Sequence, residues 1–235
     1  MNIYDDPKAD FGIERKADNS PLTRADKAAH ARIMTFLEPT GIPVLSEEGA
    51  HLPYSIRRSW QRLWIVDPLD GTKEFIKRNG EFTVNIALAE NGSPVMGVIY
   101  VPVKQQLYYG SIGEGAYKEE LGQRVTLPLK SDTERTFTVV ASRSHLSKET
   151  ADYIDLLRRD HPDLQLASSG SSLKICLVAE GKADVYPRHA PTMEWDTAAG
   201  DAIARAARRE VVDALTGEPL RYNKEDLHNP WFIVR

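Results

Sequence analysis

The sequence predicts an α/β protein built in layers, and three observations carry that expectation. Residues 82–118 hold four short apolar and aromatic runs separated by turn signals, the pattern of a strand meander. Residues 136–235 instead alternate short strand-like runs with longer helical patterns. Hydrophobic residues make up 41% of the 235 and there is a single cysteine, so a buried core rather than disulfides must hold the layers together. Helices covering the faces of sheets are the arrangement that buries such a pattern.

In chain order, residues 1–21 are polar, lack a helical apolar period and read as an irregular lead-in. Thr23 then serves as an N-cap, with Asp26 three residues on as its capping-box partner. Ala29, Ile33, Phe36 and Leu37 follow at helical spacing, and Pro39 and Gly41 stop the helix. Val44-Leu45 is a short apolar run. Leu63–Val66 is a short strand running into Asp67-Pro68-Leu69-Asp70-Gly71, which must turn, and a short helix starts at Thr72. Strands are expected at Phe82–Ala89, Val95–Val101, Gln106–Tyr109 and Gly115–Lys118, with Asn91-Gly92 as a hairpin turn. Beyond them come strand Thr136–Ala141, helix Lys148–Arg158, strand Leu164–Ala167 and a helix Ser171–Glu180 stopped by Gly181. Strand Ala183–Tyr186, an alanine-rich helix Thr197–Arg208, and strands Glu210–Asp213 and Trp231–Val234 complete the chain. No repeat or linker interrupts it, so we expect one domain over residues 1–235, with a β-rich lobe to about 130 and an α/β lobe beyond.

The net charge of −4 argues against a general binder of nucleic-acid polymers, which carries a basic footprint. Cys176 lies in the apolar run Leu173–Val178 and reads as a buried small side chain. With no signal-like pattern at Met1–Phe11, a reducing, cytoplasmic compartment is expected, and no apolar run is long enough to span a bilayer.

Three acidic clusters stand out: Ser46-Glu47-Glu48-Gly49, Asp67-Pro68-Leu69-Asp70-Gly71-Thr72 and Trp195-Asp196-Thr197-Ala198. In the second, a strand delivers Asp67 to a sheet edge, and Asp70 lies three residues away across a tight turn. Both carboxylates and the Leu69 carbonyl can then converge on one point. Gly71 permits close backbone approach, and Gly71 and Thr72 open a helix whose free N–H groups favour an anion. Hard oxygen ligands beside a helix start suit Mg²⁺ and phosphate. Taken alone, Asp-x-x-Asp-Gly reads better as a turn with an N-cap.

The complete string resembles the signature of the inositol monophosphatase superfamily. Glu47-Glu48 upstream and Trp195-Asp196-Thr197-Ala198-Ala199-Gly200 downstream match its other two motifs in the same order. Lys16-Ala17-Asp18-Asn19-Ser20-Pro21-Leu22-Thr23, Gly71-Thr72-Lys73-Glu74-Phe75-Ile76, Asn79–Asn85 and Gly170-Ser171-Ser172-Leu173-Lys174 are similar to the CysQ-type 3′(2′),5′-bisphosphate nucleotidases. The resemblance covers nearly everything from Lys16 onward. Such enzymes usually begin with an amphipathic helix that Met1–Ile13 is too short and polar to supply.

The resemblance implies an αβαβα sandwich and Mg²⁺-dependent hydrolysis of 3′-phosphoadenosine 5′-phosphate, in sulfate assimilation and nucleotide recycling. It implies two or three Mg²⁺ ions and inhibition by Li⁺. Glu47, Asp67 and the Leu69 carbonyl would hold one ion. Asp67, Asp70 and Asp196 would hold a second. Thr72 and Asp26 match the pair that activates the attacking water, assisted by Glu48, although Asp26 also has its capping role. The Gly71 and Thr72 amides would hold phosphoryl oxygens. Ser171, Lys174, Arg188 and His145 match nucleotide contacts. On sequence alone Lys174 and Arg188 read better as ordinary surface cations, and His145 reads equally as a loop histidine without a role. A monomer or weak homodimer is implied, and members of this type can associate peripherally with the inner membrane. The rival expectations are an inositol-phosphate or sugar-phosphate phosphatase on the same fold, and a non-catalytic nucleotide or cation sensor. The intact Asp26–Thr72 pair argues against the sensor, because a pure binder needs no water-activating pair.

Overall fold

The computed structural model describes residues 1–6, 10–16, 20–49, 52–130, 135–141 and 147–235. The chain runs through α1 (Asn2–Asp5), β1 (Glu14–Arg15), β2 (Pro21–Leu22), α2 (Arg24–Leu37), β3 (Val44–Ser46) and α3 (Tyr54–Arg57). Next come β4 (Arg62–Asp70), α4 (Thr72–Ile76), β5 (Thr83–Glu90), β6 (Ser93–Val101), β7 (Gln106–Ser111), β8 (Gly115–Glu120) and β9 (Gln123–Leu127). The remainder is β10 (Thr138–Ala141), α5 (Lys148–Asp160), β11 (Gln165–Ser168), α6 (Leu173–Glu180), β12 (Tyr186–Arg188), α7 (Glu194–Ala206), β13 (Val211–Asp213) and β14 (Phe232–Val234).

The large sheet has the order β3-β4-β5-β6-β7-β8-β9, with β3 parallel to β4 and every other neighbour antiparallel. A smaller antiparallel sheet has the order β12-β14-β13. The parallel pair β10-β11 joins its edge, where Val140 N donates to Val185 O at 2.9 Å.

Side-chain alternation along β4 explains the layering. Leu63 and Ile65 point into a core shared with Ala198, Ala199 and Ile203 of α7 and with Phe232 of the small sheet. α7 therefore lies between the two sheets, with α6 packed beside it. Trp64 points the other way and donates its indole N–H to Thr40 just beyond α2, which puts α2 on the outer face. On the far side of the small sheet, Ile154 of α5 packs with Val139, Val185 and Ile233. The order helix, sheet, helices, sheet, helix is the sandwich the resemblance implied.

Several local expectations are corrected. The start of the chain is not wholly irregular: α1 forms, β1 pairs with β2, and Tyr4 and Phe11 pack on Phe75, with Tyr4 also against Phe82. Arg78 clamps this segment by donating to the carbonyls of Tyr4 and Asp6. Two aromatics spaced outside any helical period found partners some seventy residues away, which no local pattern announces. Phe36 is 61% exposed beneath the Arg32 guanidinium rather than in the core. β9 and α3 lie outside the expected elements; in β9 only Val125 and Leu127 are apolar, and every side chain but that of Leu127 is exposed, which leaves little apolar signal. The strand expected at Ala183–Tyr186 shifts to Tyr186–Arg188, and α7 begins at Glu194 rather than Thr197.

The approach of α7 to the large sheet is close because small residues meet there. A Cβ on Gly97 would lie 2.2 Å from the Ala199 carbonyl oxygen, so any side chain there must push helix and sheet apart. Gly97→Ala is expected to destabilise the fold by about 1–3 kcal/mol. A melting midpoint lowered by roughly 2–4 °C per kcal/mol is the readout, and an unchanged midpoint would contradict the contact.

Candidate active site

The carboxylates converge because of a backbone irregularity. β4 does not end at Val66 and turn, as expected; it continues to Asp70. Asp67 pairs with Asn85 and Asp70 with Thr83, so three steps on β4 oppose two on β5. That is a bulge, and Pro68, which has no N–H to give the ladder, sits within it. In a regular strand residues i and i+3 face opposite sides; the extra residue returns Asp70 to the side of Asp67. Asp196, in the first turn of α7, completes a group whose carboxylate oxygens lie within 4.8 Å of one another. Its other anchor is the Met193 N–H, at 2.8 Å from Oδ2.

Glu47 reaches the group from the loop after β3 and shares a side-chain hydrogen bond with Asp67. Lys16 donates to Glu47 Oε1 at 2.7 Å and to Glu48 Oε1 at 2.5 Å. Burial, then the neighbouring carboxylates, push Asp67 well above the usual carboxylate range and Asp196 up to about 8. Burial also raises Glu47, against the pull of Lys16. Without a cation, protons must take up the charge. Three carboxylates on one point, all hard oxygen donors, fit a divalent ion such as Mg²⁺.

Asp26 does both things that the sequence left open. Its Oδ2 accepts from the Thr23 N–H at 2.8 Å and from the Thr23 hydroxyl, closing the capping box. Its Oδ1 accepts from Thr72 Oγ1 at 3.1 Å. Gly71, with φ +92°, precedes α4 and turns Thr72 toward Asp26. Leu69 O lies 3.4 Å from the same hydroxyl. Glu48 is half-buried and bonds to Lys16 rather than to Thr72 or Asp26.

The same hollow continues from Asp70, Gly71 and Asp196 to Ser171, Lys174 and Arg188. Ser171 does not open α6 as expected; it precedes the helix in a left-handed conformation, φ +44°. Lys174 accordingly folds back onto the loop, donating to Ser171 O at 2.6 Å and Ser169 O at 3.2 Å, over the Tyr186 ring. It is no surface cation but 5% exposed, and burial pulls its pKa down to about 8. Arg188 ends β12 rather than following a strand. Arg188 Nε and Ser171 Oγ are buried with no hydrogen-bond partner among the described residues. His145 lies outside the described residues. Cys176 is buried as expected, which pushes its thiol up.

The model of the inositol monophosphatase family matches residues 4–230. The chain belongs to that family. The 3′(2′),5′-bisphosphate nucleotidase CysQ of Shigella flexneri is 51% identical, over 100% of this chain and 92% of its own length. The crystal structure of CysQ from Bacteroides thetaiotaomicron superposes with a TM-score of 0.91 at 61% identity, covering 100% of this chain and 90% of that one. Inositol monophosphatase II of Staphylococcus aureus has a TM-score of 0.71 at 28% identity, covering 89% and 78%. The staphylococcal IMPase-II has been solved with 2′AMP and with inositol monophosphate. Among family members, then, one scaffold serves ligands of more than one kind.

Sequence reasoning did not assign Asn85 and Ser172, both of which bond to Asp70, or Lys16. All three lie in the motif strings quoted above, so the signal was present but carried no role.

Asp67→Asn removes one of the repelling buried charges. It is expected to melt at or above the wild type in EDTA and to lose most of the rise in melting temperature that MgCl₂ produces in the wild type. A variant as responsive to MgCl₂ as the wild type would remove Asp67 from the cation site.

Proposed function

We propose that this protein is a Mg²⁺-dependent phosphomonoesterase that hydrolyses 3′-phosphoadenosine 5′-phosphate to AMP and phosphate, with a role in sulfate assimilation and nucleotide recycling. The observation that carries the substrate is the pairing, in one hollow, of a carboxylate cluster with a cationic wall of the buried Lys174 and the half-buried Arg188. An ester with a single phosphate has no use for a second set of anion-binding groups. A bisphosphate nucleotide does, and the names of the relatives support that choice.

Glu47, Asp67, Asp70, Asp196 and the Leu69 carbonyl are the ligands we assign. Bound Mg²⁺ supplies positive charge beside the scissile phosphate and lowers the pKa of water. Thr72 and Asp26 orient the attacking water and take its proton, through the hydroxyl that Asp26 holds at 3.1 Å. The Gly71 and Thr72 amides at the start of α4 face phosphoryl oxygens. Water oxygen bonds to phosphorus, the bond from phosphorus to the ribose 3′ oxygen breaks, and that oxygen takes a proton from solvent, balancing the one passed to Asp26. Glu48, tied to Lys16, acts on the water only after that ion pair rearranges. Ser171 Oγ and Arg188 Nε, which have no hydrogen-bond partner among the described residues, meet the second phosphate with Lys174.

A phosphate-release assay should rank 3′-phosphoadenosine 5′-phosphate above inositol 1-phosphate and AMP; preference for inositol 1-phosphate would favour the rival phosphatase. Thr72→Ala is expected to lower kcat by about 100-fold while changing KM little. A kcat within a few-fold of wild type would reduce Thr72 to a helix-start residue.

Lys174→Ala should raise KM for the bisphosphate by roughly 10–100-fold and leave inositol 1-phosphate nearly unaffected. Its pH profile follows from burial. The folded pKa of about 8 lies below the ordinary 10.5, so the ammonium is present below pH 8 and is lost above it. KM for the bisphosphate should therefore rise as pH passes through 8, and Lys174→Arg should flatten that rise. Equal loss on both substrates would make Lys174 structural.

A further inference from the structure

We propose that Asn85 and Ser172 are positioning residues for Asp70: they hold one oxygen of its carboxylate away from the centre, so that Asp70 meets a divalent cation through the other oxygen alone. The pair thereby favours Mg²⁺ over Ca²⁺. This rests on the reading of the carboxylate cluster as a divalent-cation site.

The two oxygens of Asp70 have unequal surroundings. Oδ2 accepts from the Ser172 N–H at 2.7 Å and lies 2.6 Å from the Ser172 hydroxyl. Asn85 Nδ2 approaches the same oxygen at 3.3 Å and Thr83 Oγ1 at 3.4 Å. No donor reaches Oδ1 among the described residues. Four donor atoms lie around Oδ2, the Ser172 hydroxyl sharing its one proton between that oxygen and the Asp196 carbonyl, and none lies on Oδ1 among the described residues, which fixes both the plane of the carboxylate and the oxygen it has to spare.

The β4 bulge creates this arrangement. Asn85 and Thr83 are two residues apart on β5, hence on one face, and they pair in register with Asp67 and Asp70. Asn85 is buried, and its Nδ2 also donates to Ser172 Oγ at 2.8 Å. The reverse orientation of this amide would aim its carbonyl at a carboxylate. The adopted one leaves Asn85 Oδ1 buried without a partner among the described residues, a cost that a purely structural asparagine would have no reason to bear. Ser172 Oγ further lies 2.8 Å from the Asp196 carbonyl oxygen. One hydroxyl thus joins the β4 carboxylate, the β5 amide and the first turn of α7, at the foot of the loop that carries Ser171.

The selectivity follows from coordination chemistry. Mg²⁺ demands near-ideal octahedral geometry with single-oxygen carboxylate ligands, whereas Ca²⁺ tolerates irregular geometry and takes carboxylates through one oxygen or both. A carboxylate held by one oxygen suits the first. Releasing it gives the second a ligand it can grip with both oxygens. Groups that orient a metal ligand typically change affinity by about 10–100-fold when removed.

The test is calorimetric titration of metal-free wild type, Asn85→Ala and Ser172→Ala with MgCl₂ and with CaCl₂, alongside thermal melts in EDTA. Ser172→Ala keeps the backbone donor and deletes a single atom, so it carries the experiment if Asn85→Ala does not fold. The expected result is a Mg²⁺ Kd raised about tenfold or more with a Ca²⁺ Kd changed less than about threefold. Loss of both cations by the same factor, or an unchanged Mg²⁺ Kd, would overturn the proposal. Failure of the wild type to bind Mg²⁺ at all would instead remove the cation-site reading on which it rests.

Discussion

Carboxylates brought together at the junction of two sheets repel one another, and much of the surrounding structure answers that repulsion. Asp67 is fully buried in contact with Glu47, Asp70 and Asp196 lie close enough to raise its pKa, and Asp70 helps to raise that of Asp196. The acids have counterweights, Asp67 among them, whose Oδ1 accepts from the Leu69 N–H. Lys16 bridges Glu47 and Glu48, the Met193 N–H supports Asp196, and the Ser172 N–H supports Asp70. These partners offset part of the charge but leave the group short of neutrality, which is the condition under which a divalent ion contributes both stability and chemistry.

The opposite wall of the hollow has the reverse problem. Lys174 is buried without a carboxylate in salt-bridge contact among the described residues; two loop carbonyls and the Tyr186 ring receive it. Such an ammonium is destabilised relative to water, as its lowered pKa records. An anionic ligand relieves that cost. A hollow acidic at one end and cationic at the other is suited to a molecule that meets metal through one phosphate and protein cations through another.

Rigid placement of these groups depends on α7, which packs on the large sheet through small residues such as Ala199 and carries Asp196 on its first turn. Asp196 therefore cannot drift without disturbing the core shared by both sheets. The Thr72 side of the centre is held differently. Phe75 anchors α4 among Tyr4, Phe11 and Phe82, so the beginning of the chain braces the helix that follows the bulge.

What the sequence by itself determined was whatever local chemistry specifies. The capping box of Thr23 and Asp26, the β5–β8 meander with its Asn91-Gly92 turn, the Gly181 stop of α6 and the acidic strings all rest on neighbours a few residues apart. Tertiary structure decided the rest, because it depends on pairings between distant segments. The bulge arises from the register of β4 against β5, so a tight turn was the natural local reading of Asp67–Gly71. Nothing near Lys174 marks it as buried; that comes from the fold-back of its loop against the small sheet. The packing of Tyr4 and Phe11 needs Phe75, and the roles of Asn85 and Ser172 need Asp70, each supplied by another part of the chain. Local sequence named the reactive groups, and long-range register and packing set their protonation, orientation and partners.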